Sequence, residues 1–255
     1  LMDCFSMGRM GKMKIVVNGD SFTHERHLAV GEDYKEKTWA HKIGAENIAL
    51  GGCSNEHIFQ SSIEYLNDNK PDVLVIGWTD FNRYKITHSS GLNLHICGGA
   101  VADDLLFGFK QSQSNTYEEY ARFYYEKMLN PFLNFKNWIT YYLHLEKYCS
   151  SNEITFLNFI SRSFPNDKVL KQISESAYMS RDDKDIEAQG IKYNYTLLKK
   201  GLARFKEENW LNGQIGFCYA DHVRHLPKWH DGHPGLEASS LWADLVKKNI
   251  DQRLY

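Results

Sequence analysis

The chain has 255 residues, of which 42% are hydrophobic and 14% aromatic, and its formal net charge at pH 7 is −2. This length suits one large α/β domain and is short for two. A near-neutral chain does not provide the basic surface that nucleic-acid binding needs, so no nucleic-acid partner is expected.

The cysteines and the apolar runs indicate the cellular location that is expected for the protein. The five cysteines are scattered without Cys-x-x-Cys spacing, which argues against a disulfide framework and favours a reducing, cytoplasmic location. No apolar run approaches about 18 residues, so no membrane span is expected. Residues 1–12 lack the apolar core of a secretory signal and are expected to form a leader or disordered segment before a single domain over 13–255.

Short apolar runs alternate with amphipathic segments along the chain. The runs predict five strands, at 13–18, 47–50, 73–76, 154–159 and 214–218. The segments between and after them predict helices, at 33–43, 54–67, 116–128, 132–148 and 236–250. This order favours a three-layer α/β/α sandwich around a mostly parallel five-stranded sheet.

Two polar stretches are longer than a minimal sandwich needs. Residues 82–115 are rich in glycine, and residues 174–192 are strongly charged. Because each follows a strand, we expect insertions at the carboxyl edge of the sheet, acting as lids or substrate loops. Solvated surface insertions without a role in binding are the alternative.

A serine directly follows the first predicted strand, in Gly19-Asp20-Ser21. Ligands of open α/β sheets bind at the carboxyl ends of the strands, so Ser21 is placed where a nucleophile would meet a substrate. The tripeptide alone also fits a serine that caps a turn. Its interpretation therefore depends on partners elsewhere in the chain.

A candidate base stands before the last predicted helix, in the segment Trp229-His230-Asp231-Gly232-His233-Pro234. A serine nucleophile needs a histidine to take its proton, and the histidine needs an acceptor that orients it. We predict His233 as the base and Asp231 as the acid, with Asp221 as the alternative acid.

Glycines at two other strand ends are candidates for the oxyanion hole. Gly51-Gly52 follows the second strand, where a backbone amide can approach a substrate closely. Gly77-Trp78-Thr79-Asp80 follows the third strand and would lie at the same edge. Both segments also fit ordinary tight turns.

These four segments, in this order, resemble the SGNH (GDSL-type) hydrolase family, over residues 13 to about 250. Gly19-Asp20-Ser21 matches its first block, Gly52 its oxyanion glycine, Gly77-Trp78-Thr79-Asp80 its Gly-x-Asn-Asp block, and His233-Pro234 its last block. The resemblance implies a flavodoxin-like sheet. It implies a carboxylic ester hydrolase with Ser21, His233 and Asp231 as triad, and with Ser21, Gly52 and Thr79 as oxyanion hole.

Two positions depart from the family pattern. Thr79 stands where the family has asparagine, so Asn55 or Asn82 is an alternative source of a side-chain amide. The family has an aspartate three residues before the catalytic histidine. In this sequence that position is His230, and Asp231 lies two residues before His233.

The resemblance also implies the ligands of the protein. The substrate would be a small acyl ester or an O-acetylated carbohydrate, with no cofactor and no metal, and an oligomer is possible. A possible substrate cleft contains Asp20, Asn55, Trp78, Asn82, Trp229 and His230. For Trp78 and Trp229, a role in the core or in packing a lid is the favoured alternative.

Other hypotheses compete with the esterase. His222, His225, His230 and His233 provide a possible metal-ligand set. A non-catalytic relative that binds a glycan or a protein partner, and an O-acyltransferase, would show the same segments. Cys53 is either a reactive thiol at a helix N-terminus or a small buried filler.

Overall fold

The structure of the protein, a computed structural model, describes residues 13–24, 37–87, 93–96, 122–177, 184–228 and 233–254. The predicted leader, residues 1–12, lies outside this part of the chain. The described residues contain six strands: β1 (Ile15–Gly19), β2 (Glu46–Asn47), β3 (Val73–Trp78), β4 (Tyr84–Thr87), β5 (Asn93–Ile96) and β6 (Thr155–Ile160).

Four of these strands form a parallel sheet in the order β2-β1-β3-β6. The register places Gly19 beside Gly77, and Trp78 beside Ile160, so the carboxyl ends of β1, β3 and β6 lie level at one edge. All residues of β1 and β3 are buried, because a parallel sheet is covered on both faces. The polar residues that follow these strands are therefore brought together.

Helices cover both faces of the sheet. They are α1 (Trp39–Lys42), α2 (Asn55–Asp68), α3 (Pro131–Ser151), α4 (Asp167–Glu175), α5 (Lys184–Leu202), α6 (Tyr219–His222) and α7 (Leu236–Leu254). A π-helical turn at Tyr124–Met128 and short 3₁₀ turns at Glu207–Asn209 and Leu211–Gly213 complete the described elements. Within the described part of the chain, no helix is long and apolar enough to cross a bilayer.

Alternate side chains of β1, β3 and β6 enter two separate apolar cores. Ile76 of β3 packs in the core that α2 and α3 cover, together with Trp138. Val75, one position earlier, packs in the core that α1 and α7 cover, together with Trp242. The predicted three-layer α/β/α sandwich with a mostly parallel sheet is confirmed.

The prediction of a fifth strand at 214–218 is wrong, because this segment is not a strand of the parallel sheet. This segment runs beside β6 and makes only an isolated parallel bridge, between Ile160 and Cys218. A turn closes from Phe217 N to Gln214 O (3.0 Å), and Gly216 has φ +76°. Because this backbone is not extended, the segment does not form a continuous ladder with β6.

The two predicted insertions contain regular structure. β4 and β5 pair as an antiparallel hairpin within 82–115, and residues 97–115 lie outside the described residues. Within 174–192, α4 ends at Glu175 and α5 begins at Lys184, so the described part of this predicted insertion is largely helical. The start of the predicted helix at 116–128 and residues 33–36 of the first predicted helix also lie outside the description.

Candidate active site

The structure brings Ser21 and His233 together although 212 residues separate them in sequence. Nε2 of His233 lies 2.8 Å from Oγ of Ser21, which is hydrogen-bonding distance. In the tautomer that carries its proton on Nδ1, the imidazole accepts the serine proton at Nε2. This is the contact that a general base needs to activate a serine hydroxyl.

Ser21 lies in a tight turn at the end of β1. The carbonyl of Asp20 accepts hydrogen bonds from the backbone amides of Thr23 and His24, both at 2.9 Å. Gly19 precedes the turn, and a Cβ added there would lie 2.6 Å from Thr23 Oγ1 and 2.9 Å from the Gly77 carbonyl. The first residue of Gly-Asp-Ser is therefore required by close packing between β1, β3 and the turn.

The loop that carries His233 is closed at its base. The Gly235 amide donates to the Pro227 carbonyl (3.1 Å), and Lys228 pairs with Pro234 in an antiparallel bridge. The ring of Phe22 packs against the imidazole at a centroid distance of 5.3 Å. These contacts hold His233 beside Ser21 from both sides.

Three predicted residues of this loop, Trp229, His230 and Asp231, lie outside the described residues, so their roles stay predictions. The alternative acid, Asp221, is exposed on α6 and interacts with the Cys218 thiol.

The turn at residues 50–53 carries the predicted oxyanion glycine, and we call it the oxyanion turn. It lies against the turn at residues 20–24 that carries Ser21, which we call the nucleophile turn. Leu50 N donates to the Gly19 carbonyl (3.1 Å), and Cys53 N closes a turn onto the Leu50 carbonyl (3.4 Å). Gly52 occupies the third position of this turn with φ +73°, a conformation that favours glycine. A Cβ on Gly51 would lie 4.0 Å from Ser21 Cβ, so this turn borders the nucleophile.

Asp20 is not a cleft residue, because its side chain is fully buried and its carboxylate accepts four hydrogen bonds. Oδ1 accepts from the Phe22 amide (3.1 Å) and the Ser161 hydroxyl (2.8 Å). Oδ2 accepts from the Thr79 hydroxyl (2.7 Å) and the Arg83 guanidinium (3.2 Å). We call these five residues the Asp20 cluster; it ties together the carboxyl ends of β1, β3 and β6.

The Asp20 cluster changes the interpretation of Thr79. A threonine hydroxyl has one proton, and in this structure that proton points to Asp20. The proton is therefore not directed at an oxyanion, and the predicted donor role of Thr79 needs correction.

Asn55 and Asn82, the alternative amides, lie at the same edge. Asn55 Oδ1 accepts from Thr79 N (2.9 Å), and Asn55 Nδ2 donates to Thr79 O (3.2 Å), which joins the start of α2 to the end of β3. Asn82 is half-buried, and its backbone amide donates to Asp80 Oδ1 (2.8 Å). Each is placed near the end of β3, as the sequence predicts.

Trp78, a possible cleft residue for which a core role is the favoured prediction, is a core residue. Its side chain is fully buried, and its indole N–H donates to Asn158 Oδ1 (2.9 Å). Its ring meets Trp138 edge to face at 6.2 Å. The reason is alternation: Trp78 is the last residue of β3 and faces the α3 layer.

Two competing chemistries receive no support from the described residues. Among them, no group of three or more His, Cys, Asp or Glu side chains is arranged to hold a metal ion. Burial raises the pKa of the Cys53 thiol far above its usual range. The Cys53 side chain is fully buried and so is inaccessible to a reactant, which rules out the reactive-thiol interpretation and confirms the buried-filler interpretation.

Sequence reasoning missed several residues around the serine. Ser161 follows β6 directly, so the strand-end rule that located Ser21 could have found it too. Arg83 lies five residues beyond β3, and no local pattern distinguishes it from an exposed loop arginine. His24, Trp39 and Tyr219 line a small cavity with Ser21 and His233. They come from separate segments that only the fold brings together.

No protein-family model and no curated protein matches the sequence. Solved structures that match it include the psychrotrophic esterase EstA from Pseudoalteromonas sp., at 13% identity and a TM-score of 0.44, covering 95% of this chain and 99% of that one. The acetylxylan esterase Axe2 from Geobacillus stearothermophilus matches at 12% identity and a TM-score of 0.44, covering 93% and 94%. A GDSL-like lipase from Bacteroides thetaiotaomicron matches at 11% identity and 0.41, covering 94% and 88%.

Proposed function

We propose that this protein is a serine hydrolase of the SGNH type that cleaves carboxylic esters. The observation that carries the proposal is the 2.8 Å contact between Ser21 Oγ and His233 Nε2 at the carboxyl edge of the sheet. Four sequence segments that resemble the family blocks converge on this edge.

In the proposed reaction, Ser21 attacks the ester carbonyl while His233 takes the serine proton at Nε2. The same proton then passes to the leaving alcohol, which departs and leaves an acyl-enzyme on Ser21. Water, deprotonated by His233, attacks the acyl carbon, and the carboxylic acid leaves as Ser21 regains its proton. Asp231 is proposed to orient His233 through Nδ1.

Backbone amides are proposed to bind the oxyanion. The amides of Ser21 and Gly52 belong to two adjacent turns that the Gly19 carbonyl joins. Because the Thr79 proton is directed at Asp20, this hole has one donor fewer than the family pattern provides. Loss of one such donor typically costs about 2.7–4 kcal/mol of transition-state stabilisation, so we expect slow turnover.

A small acyl group fits the site best. The cavity that Ser21, Phe22, Trp39, Tyr219 and His233 border has room for about one water molecule. A methyl group has a similar size, so this cavity favours a short acyl chain over a long one. The proposed substrates are therefore acetyl esters, including O-acetylated carbohydrates.

A panel of p-nitrophenyl esters of rising acyl length tests this size limit. The expected result is a kcat/KM for acetate at least about tenfold above that for octanoate, since steric exclusion of this kind is worth more than 1.4 kcal/mol. Equal or rising activity with chain length would contradict the proposed substrate class.

A fluorophosphonate probe tests the nucleophile directly. Intact-mass spectrometry should show one phosphonyl adduct per chain, mapped by peptide sequencing to Ser21. The Ser150→Ala variant is the matched control, because Ser150 is an exposed serine at the far end of α3 and should leave labelling unchanged. An adduct at another serine would remove Ser21 as the nucleophile.

The second candidate is a non-catalytic relative that binds an acylated glycan or a partner in the same cleft. The direction of the Thr79 hydroxyl favours it, because it removes an oxyanion donor. Folded protein that the probe does not label would support this candidate. An O-acyltransferase would instead be labelled, and would release p-nitrophenol faster when a sugar acceptor is added.

A further inference from the structure

The Asp20 cluster contains a buried ion pair next to the proposed nucleophile. Arg83 Nη1 lies 3.2 Å from Asp20 Oδ2, and the two side chains are 7% and 0% exposed. Ion pairs are rarely buried so completely, because removing both charges from water is costly. Asp20 directly precedes Ser21, and its carboxylate accepts from the amide of Phe22, the residue directly after Ser21, so this charge pair borders the turn that carries the nucleophile.

The same guanidinium nitrogen also reaches the oxyanion turn. Arg83 Nη1 lies 3.4 Å from the Cys53 carbonyl, and Cys53 follows Gly52 directly. The Cys53 thiol in turn donates to the Gly19 carbonyl (3.4 Å). Arg83 therefore contacts the nucleophile turn through Asp20 and the oxyanion turn through Cys53.

The charge of Asp20 is unfavourable for the proposed reaction. The tetrahedral intermediate places negative charge on the carbonyl oxygen next to Ser21, and a buried carboxylate nearby repels it. Charges interact more strongly in a buried site than in water. The Arg83 guanidinium, paired with the Asp20 carboxylate, offsets this repulsion. The carboxylate still accepts its hydrogen bonds from Thr79, Ser161 and the Phe22 amide.

We propose that Arg83 is a positioning residue of the hydrolase, which neutralises Asp20 and holds the nucleophile turn against the oxyanion turn. This inference rests on the proposed function. It adds a residue outside the four matched segments, and it explains why a buried carboxylate is compatible with an oxyanion at this edge.

Two substitutions separate charge from hydrogen bonding. Arg83→Lys keeps the positive charge, whereas Arg83→Gln keeps a donor for Asp20 and removes the charge. We expect Arg83→Gln to lower kcat for p-nitrophenyl acetate about 100-fold, with KM within about threefold of wild type. Arg83→Lys should keep a kcat at least about tenfold above that of Arg83→Gln. A purely structural ion pair would change the melting temperature without this split between kcat and KM.

Arg204→Met provides the control, since Arg204 is exposed and lies away from the Asp20 cluster. If Arg83→Gln does not fold, Asp20→Asn/Arg83→Gln replaces it, because this pair contains no buried charge. The double variant should stay within about tenfold of the wild-type kcat, and should exceed Arg83→Gln where that variant folds.

The inference is overturned if folded Arg83→Gln keeps the wild-type kcat, or if the double variant falls below about 1% of it. Labelling of the wild type by the fluorophosphonate distinguishes failure of this inference from failure of the proposed function. A labelled, active wild type with an insensitive Arg83 removes this inference alone. An unlabelled wild type removes the proposed function, and this inference with it.

Discussion

Ser21→Ala is expected to lower the hydrolysis of p-nitrophenyl acetate by about three to six orders of magnitude in kcat. The variant keeps His233 and the backbone amides, but it has no oxygen to form the acyl-enzyme. The hydroxyl contributes a single described contact, to His233, so the fold should be unaffected. Steady-state rates on protein purified from both variants in parallel measure the effect.

The Ser150→Ala variant should show the wild-type rate, because Ser150 is exposed on α3. Matching melting curves for both variants would show that the loss is chemical. Ester hydrolysis that survives in Ser21→Ala at more than about 10% of wild type would contradict the proposed nucleophile.

Asp20→Ala is expected to reduce the free energy of unfolding by about 3–5 kcal/mol. The change removes the acceptor of four hydrogen bonds and leaves the Arg83 guanidinium buried without its carboxylate. Removing one partner of a buried ion pair is among the most costly changes in a folded protein. Urea titration followed by tryptophan fluorescence measures the loss.

Asp244→Ala is the matched control. Asp244 is exposed on α7, so its replacement should change the free energy of unfolding by less than about 0.5 kcal/mol. If Asp20→Ala is as stable as Asp244→Ala, the Asp20 cluster does not hold the three strand ends together.

Much of the sheet, and the contact between Ser21 and His233, can be predicted from sequence because both follow from local patterns. Apolar runs such as 73–76 lack polar interruptions, which only a strand buried on both faces tolerates. Ser21 directly follows such a run, and parallel strands end at a common edge. The position of His233 could be predicted because a serine needs a base and the loop before the last helix contains histidines.

The Asp20 cluster could not be predicted, because its bonds join residues that are far apart in sequence. Thr79 and Ser161 lie 59 and 141 residues from Asp20. Their hydroxyls have several possible acceptors, and only the register of β1, β3 and β6 selects one. Likewise, Trp78 lies at a strand end beside a glycine, and the packing of α3 decides between a rim position and the favoured core position.

The two reacting side chains come from segments that are 212 residues apart in sequence. His233 directly precedes the segment that leads into α7, whose Trp242 packs on Phe159 and Tyr219. After the serine, a ribosome must therefore add 212 further residues before the serine acquires its base. Nascent chains, and products clipped between the two residues, would carry an inert hydroxyl, so hydrolysis in a cell extract would count only molecules that contain both segments.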